Sequence, residues 1–297
     1  MPEVSVVIPA YNAAAFLEEA VASVLDQTFG DFEVLVVDDG STDGTEALAR
    51  RFGRPVRCLR QENKGVAAAR NRGIQAAGGR RVAFLDADDS WFAEKLERQI
   101  EALEQSPRAG VCYSAFMHVD ESGAPLGVDT RPRAGSMLED LLTRGNAVGS
   151  ISSVLCERAL LDRAGGFDPS LSQCADWDMW VRLAQLTEFL YIDRPLVTYR
   201  RHGNNMSRDP GLLERDSLQV LESCFSMPAL PEAIRGKRAA AFGRNYMVLA
   251  GTYFRAGRYG DFTRCAARAV ALDPRLVGSL LAFPLRVAKR LRNRKRV

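Results

Sequence analysis

Three short, almost wholly apolar runs early in the chain each stop at a polar cluster, and this pattern constrains the fold more than any other. Val4 to Ile8 runs into Pro9-Ala10-Tyr11-Asn12, Phe32 to Val37 into Asp38-Asp39-Gly40-Ser41, and Val82 to Leu85 into Asp86-Ala87-Asp88-Asp89. Short runs with so little polar alternation read as strands covered on both faces. Helical patterns lie between them. Phe16, Leu17, Ala20, Val21, Val24 and Leu25 share one face, with Glu18 and Glu19 off it. Asp43 stands where it can cap the next helix, with Glu46 three residues on. A short strand is expected near Val56–Leu59, a helix from about Gly65 to Ala77, and another helix after Asp89 to about Gln105. Strands alternating with helices predict a parallel α/β sheet.

The middle of the chain is less regular. Strands are expected at Val111–Phe116, Ser152–Leu155, Phe189–Ile192 and Leu196–Arg200, and helices at Met137–Thr143, Glu157–Arg163 and Asp176–Gln185. Asp120–Gly135, rich in Gly, Pro and charge, reads as a loop. From about Pro210 the strand signals stop, and Leu212–Phe225 and Pro231–Ala256 read as helices. Tyr253, Gly257, Tyr259, Ala269 and Pro274 match a single tetratricopeptide-like helix pair. One unit cannot form a solenoid, so a helical extension is expected.

At 297 residues, 46% apolar and 26% charged, the chain has room for about two globular domains, and collagen-like, disulfide-dense and disordered classes are excluded. No run approaches the ~18 apolar residues of a membrane span. Met1-Pro2-Glu3 leads straight into the first strand without the features of a secretory leader, so a cytoplasmic location is expected. Cys58, Cys112, Cys156, Cys174, Cys224 and Cys265 are scattered with no C-x-x-C pair, which predicts free thiols. With only His118 and His202 present, a zinc site is disfavoured, and His118 has no motif around it.

In an open α/β sheet, ligands bind beyond the carboxyl ends of the strands, where all three polar clusters fall. Ser41 and Asp43 read equally as turn and cap residues. The acidic cluster at 86–89 is harder to explain that way. Three carboxylates within four residues repel one another, and a divalent cation removes that cost. Oxygen ligands with few histidines suit Mg²⁺ or Mn²⁺, which bridge readily to substrate phosphates. The chain has no G-x-x-x-x-G-K-[ST], no G-x-G-x-x-G after the first strand and no G-x-S-x-G. P-loop, dinucleotide-binding and α/β-hydrolase readings are disfavoured accordingly.

Seven stretches in this order resemble a family 2 glycosyltransferase of GT-A fold: Val4–Asn12, Val36–Asp43, Asn63-Lys64-Gly65 with Ala69-Arg70-Asn71, Phe84–Asp89, Gly165-Gly166-Phe167-Asp168, Asp176-Trp177-Asp178, and Tyr199-Arg200-Arg201-His202. The resemblance covers roughly residues 1–208. It implies a GT-A domain over 1–208, with helices on both faces of its sheet, a nucleotide-sugar half at 1–105 and an acceptor half at 106–208. A helical extension with a basic tail follows at 209–297.

The resemblance also implies roles. Pro9 and Tyr11 would wall the nucleotide base, and Asp38 would accept its ring N–H. Lys64 and Arg70 would be cations on the nucleotide side, though a solvated helix face accounts for them too. Asp86 would face ribose or metal, with Asp88 and His202 near the metal, Mn²⁺ or Mg²⁺. Asp176 would be the general base of an inverting displacement, with Asp178 as its substitute. Ala175 stands where many relatives carry an acidic residue. Trp177 and Trp180 line an acceptor pocket or belong to the core. The implied activity is sugar transfer from a nucleotide-diphosphate donor, UDP-linked by preference, to a glycan or lipid-linked acceptor. A non-catalytic sugar-nucleotide-binding scaffold is the main alternative. A sugar-nucleotidyltransferase is disfavoured, because Pro9-Ala10-Tyr11-Asn12 replaces the Gly-rich loop that class needs.

The net charge of +3 is uneven. The last twelve residues carry Arg286, Lys289, Arg290, Arg292, Arg294, Lys295 and Arg296, and the remainder is net −4. Leu276, Leu280, Leu281, Phe283 and Leu285 precede these cations, so 276–297 reads as an amphipathic segment for peripheral contact with an anionic membrane surface. A frayed, solvated terminus is the competing reading. Nucleic acid is disfavoured, because no aromatic residue follows Phe283 to stack on bases.

Overall fold

In the computed structural model, which describes residues 1–203, 209–228 and 230–281, strand β1 (Val4–Ala10) is buried along its whole length. It pairs in parallel with β2 (Phe32–Asp38) on one edge and β4 (Arg81–Phe84) on the other. Strand β3 (Val56–Arg60) adds to β2, also in parallel. The alternation of β1 side chains separates two layers. Val4, Val6 and Ile8 share a core with Leu17, Ala20, Val21 and Val24 of α1 (Leu17–Leu25), Ala49 of α2 (Thr45–Arg51), and Leu96, Ile100 and Leu103 of α4 (Lys95–Glu104). Val7 faces the other way, against α3 (Val66–Ala76). A Cβ added at Gly73 of that helix would lie 2.3 Å from a Val7 methyl, so only glycine lets helix and strand approach so closely. Helices therefore cover both faces of the sheet.

Beyond β4 the sheet becomes mixed, not parallel throughout. The order is β3-β2-β1-β4-β8-β6-β9-β5, with β7 on β6. Strand β8 (Leu155–Glu157) runs antiparallel to both β4 and β6 (Ala109–Val119). Strand β9 (Glu188–Arg200) runs parallel to β6 and antiparallel to β5 (Ser90–Trp91). The expected strands at Phe189–Ile192 and Leu196–Arg200 are one strand. Its register on β6 jumps from Ile192 to Pro195, which cannot donate to the ladder.

Two other expectations change. Asp120–Gly135 is not all loop, because Pro125–Asp129 forms β7. Leu126 and Val128 of that strand are about half exposed, so an edge hairpin that buries little leaves no core pattern to read. The strand expected at Ser152–Leu155 begins only at Leu155, after a 3-10 turn at Ile151–Ser153 capped by Ser150. Asp43 sits two residues before the start of α2, one before the capping position at Gly44. Its carboxylate accepts from the Thr45 and Ala14 N–H groups, while Gly44 takes φ +93°.

Residues 1–141 and 146–206 form one compact unit, and 142–145 with 207–297 form the other. The described part of the second is helical: α8 (Pro210–Phe225), α9 (Glu232–Arg235), α10 (Arg238–Arg255), α11 (Tyr259–Leu272) and α12 (Val277–Leu281). The single helix expected over Pro231–Ala256 is interrupted around Gly236. Tyr253 and Ala269 of the expected helix pair are buried, and Gly257 makes the turn with φ +74°. Glu214 of α8 ties the unit together. It accepts a bidentate pair from Arg264 at 2.6 and 2.7 Å and a bond from the Tyr253 hydroxyl at 2.6 Å. All six cysteines are free thiols. Among the described residues no helix is long and apolar enough to cross a membrane.

A buried lysine is among the residues that break the apolar pattern of the core. Lys95 is wholly buried, its ammonium 4.0 Å from the Trp91 ring centre and donating to Gln99 Oε1 at 2.7 Å. Burial pulls its pKa down to about 7 from 10.5. Between those values the unfolded chain holds a proton that the folded chain has released, so stability rises with pH across that window. Lys95→Met is expected to gain stability over wild type at pH 6 and to lose most of that advantage by pH 9. Urea denaturation at the two pH values measures this, and a pH-independent difference would contradict it.

Candidate functional site

The parallel register brings the polar clusters together. Ala10 pairs with Asp38 and Val7 with Phe84, so the segments leaving β1, β2 and β4 emerge at one edge of the sheet. The first two are stitched by their own side chains. Asn12, at φ +48°, donates its N–H to Ser41 Oγ and accepts from the Thr42 N–H, both at 2.9 Å. Pro9 is buried within β1, while Tyr11 is half exposed at the rim.

The two aspartates after β2 do different work. Asp39 is satisfied by the loop after β3, accepting from the Gln61 side chain and from the Lys64 and Gly65 N–H groups at 2.8–2.9 Å. The structure thus uses the Lys64 backbone, and the side chain is exposed. Asp38 is fully buried. Its Oδ1 accepts from the Ser41 N–H at 3.2 Å, but its Oδ2 has no hydrogen-bond partner, and the nearest cation is Arg60 at 3.6 Å.

After β4 the acidic residues separate further. Asp86 accepts from Arg70 Nη2 at 2.7 Å, and Arg70 is buried with its Nε unpartnered. Oδ2 of Asp88 lies 2.8 Å from His202 Nε2, and the imidazole stacks on Phe16 with centroids 5.0 Å apart. Asp89 is buried, with Ser152 Oγ donating to one oxygen at 2.7 Å and the Arg200 N–H to the other at 3.0 Å. Burial first, and the neighbouring carboxylates second, push Asp88 up and Asp89 well up from the usual carboxylate range. Ser152 also accepts from the Asp86 N–H at 3.0 Å, so one hydroxyl holds both ends of the acidic turn.

Asp176 lies in the first turn of α7 (Ala175–Leu183). Its Oδ1 accepts from the Trp177 N–H at 2.7 Å and its Oδ2 from Asn146 Nδ2 at 2.8 Å. Burial raises its pKa, Arg70 lowers it and Asp86 raises it, so Asp176 shares an electrostatic environment with Arg70 and Asp86. Asp178 is two residues on, away from that helix face. It is paired with Arg182, whose Nη1 also donates to the carbonyls of Ala164 and Gly166. Trp177 and Trp180 belong to the core: the first donates to the Leu141 carbonyl at 2.9 Å, and the second is fully buried. His118, near the end of β6, packs on Tyr199 and accepts at Nδ1 from Arg201 Nε at 3.1 Å.

The edge therefore presents Tyr11, Asp38, Arg70, Asp86, Asp88, His202 and Asp176. Sequence reasoning missed Ser152, Asn146 and Arg60. The first two lie far along the chain from the carboxylates they hold, in segments with no motif. Asp86, Asp88 and His202 offer hard oxygen and nitrogen donors suited to a divalent cation. Among the described residues no three His, Cys, Asp or Glu side chains already close on one point.

The description "Glycosyl transferase family 2" matches residues 5–161 of the chain. A putative teichuronic acid biosynthesis glycosyltransferase, TuaG of Bacillus subtilis, is 32% identical over 212 residues, which cover 69% of this chain and 82% of that protein. Other curated relatives are longer, and the chain spans as little as 30% of one of them. Two solved structures share the fold. Residues 1–349 of S. aureus TarS, in complex with UDP-GlcNAc, align with a TM-score of 0.60 at 18% identity, over 89% of this chain and 90% of that one. The mannosyltransferase PcManGT from Pyrobaculum calidifontis, in complex with GDP-Man and Mn²⁺, aligns with a TM-score of 0.61 at 21% identity, over 96% and 82%. With its motifs on adjacent strand ends and the family match spanning more than half its length, the chain belongs to glycosyl transferase family 2.

Proposed function

We propose that the protein is an inverting glycosyltransferase that moves a sugar from a nucleoside diphosphate, UDP foremost, to a hydroxyl of a glycan or lipid-linked acceptor. The observation that carries this reading is the nearness of two kinds of carboxylate on one edge. Asp86 and Asp88, at the end of a strand, suit a cation-bound diphosphate, and Asp176 suits proton abstraction. Arg70 bonds the first group and acts electrostatically on Asp176.

On the donor side, Pro9 and Tyr11 wall the base, and the uncommitted Oδ2 of Asp38 is offered to a ring N–H. Arg70 and Lys64 supply positive charge toward the diphosphate. Asp86, Asp88 and His202 fit a divalent cation, because the burial and the Asp86 charge that push Asp88 up are both offset by a cation. Bound Mn²⁺ or Mg²⁺ would supply Lewis-acid stabilisation of the leaving diphosphate, with phosphate oxygens and water completing its ligands.

On the acceptor side, Asp176 takes the hydroxyl proton as that oxygen attacks the anomeric carbon. The bond from that carbon to the diphosphate breaks, and its electron pair leaves with the nucleotide. A single displacement inverts the centre and needs one base, and the ion pair with Arg182 leaves Asp178 unsuited to the task.

The UDP choice draws support from the TarS complex, the cation from the PcManGT complex, and a cell-envelope polysaccharide acceptor from the name of the teichuronic acid relative. Peripheral contact of 276–297 with an anionic membrane surface belongs to the same proposal. Val277 and Leu281 are exposed, and residues 282–297, with the seven cations, lie outside the described residues.

Asp176→Asn is expected to lower the transfer rate by about 10²- to 10⁴-fold, the range of a positioned general base, with UDP affinity unchanged. Steady-state kinetics with calorimetry measures both, and full transfer by this variant would refute the base. Asp88→Ala is expected to abolish Mn²⁺-dependent transfer. Equal transfer by this variant and wild type across a Mn²⁺ titration would remove Asp88 from the metal site.

A further inference from the structure

The general base sits in a surround that opposes its charge. Burial and Asp86 both disfavour an ionised Asp176, and Arg70 favours it. The residue before it is Ala175, so no acidic neighbour in the chain orients it. Its Oδ2 is held instead by the loop after α5 (Leu138–Arg144), through Asn146 Nδ2 at 2.8 Å.

That amide has one workable orientation. Asn146 Oδ1 accepts from the Gly149 N–H at 3.2 Å, which leaves the NH₂ end facing Asp176. The loop backbone is pinned in turn. Arg131 Nη1 donates to the Asn146 carbonyl at 2.8 Å, while its Nε and Nη2 are both fixed by Asp129 at 3.1 Å. The guanidinium crosses the loop so closely that a Cβ at Gly149, where φ is +91°, would lie 2.6 Å from Arg131 Nε. The path from β7 to Asp176 is therefore continuous: Asp129, Arg131, Asn146, Asp176.

We propose that Asn146 is the positioning residue for the base, with its amide aiming the Asp176 carboxylate and Arg131 holding Asn146 in place. The role rests on the reading of Asp176 as general base. Asn146 donates to a carboxylate oxygen, and a bond of that kind favours the charged, proton-accepting form. Without it, Oδ2 loses its only hydrogen-bond donor among the described residues, and the side chain is left with the Trp177 N–H.

The test reads Asp176 directly. Protein labelled with ¹³C at the aspartate carboxyl carbons is titrated by NMR, and the Asp176 signal is the one lost in Asp176→Asn. In Asn146→Ala the midpoint is expected to rise by about one pH unit, since one charge-favouring hydrogen bond is gone. Asn146→Asp is nearly isosteric and keeps the acceptor for Gly149, so it guards against a variant that does not fold. It places a second carboxylate against Asp176 and is expected to raise the midpoint further. Both variants are expected to lower kcat for transfer while binding UDP as wild type does. An Asp176 midpoint unchanged in both variants would overturn the positioning role, as would loss of UDP binding together with kcat. The titration needs no turnover, so its failure is distinguishable from failure of the base reading, which Asp176→Asn tests alone.

Discussion

Asp86, Asp88 and Asp89 place three carboxylates within four residues at the end of β4, and the structure around them is arranged to hold that charge. Each is held differently. Asp86 takes Arg70, Asp88 faces His202, and Asp89 is buried against Ser152 and the Arg200 N–H. Removing one partner from such a set leaves a buried or half-buried carboxylate short of a hydrogen bond, at a cost of about 1–3 kcal/mol. The positions of α3, the turn before β8 and the end of β9 thus all answer to this one acidic turn. Asp89 is committed to structure, while Asp86 and Asp88 stay partly exposed.

The same economy links the acidic turn to α7. Arg70 and Asn71 are consecutive on α3. Arg70 reaches Asp86, while Asn71 clamps Phe167 through its carbonyl and N–H at 2.8 and 2.7 Å. Gly166, at φ +78°, is packed so close to Asn71 that a Cβ would meet its Oδ1 at 2.7 Å. Phe167 then packs against Phe84 of β4 and Trp180 of α7. Two motifs that lie about 96 residues apart are one device that fixes α7, and hence Asp176, relative to the acidic turn.

The parallel half of the fold was legible because its strands are buried on both faces and their ends carry ligand-type residues. Polar residues at the ends of β1, β2 and β4 emerge together, at the edge where open α/β sheets bind ligands. The second half was less legible for physical reasons. Strand β7 buries little, so no periodicity marks it. Strand β9 is interrupted at Pro195, which made one strand read as two. The serines at 150–153 spend their hydrogen bonds on caps and on the acidic turn, so that segment is no strand. In the site, the carboxylates could be read from their crowding in sequence. Their holders could not, because Ser152 and Asn146 act across 63 and 30 residues of chain with no repeated spacing.

The central claim is that Asp38 and the turn at Asp86–Asp88 form one nucleoside-diphosphate site completed by a cation. Thermal unfolding with UDP, GDP, dTDP or CMP, each with and without Mn²⁺, tests it most directly. The account predicts a rise with UDP that requires Mn²⁺, worth about 2.7 kcal/mol at about 100 times the dissociation constant. No shift with any nucleotide, with or without the cation, would contradict it.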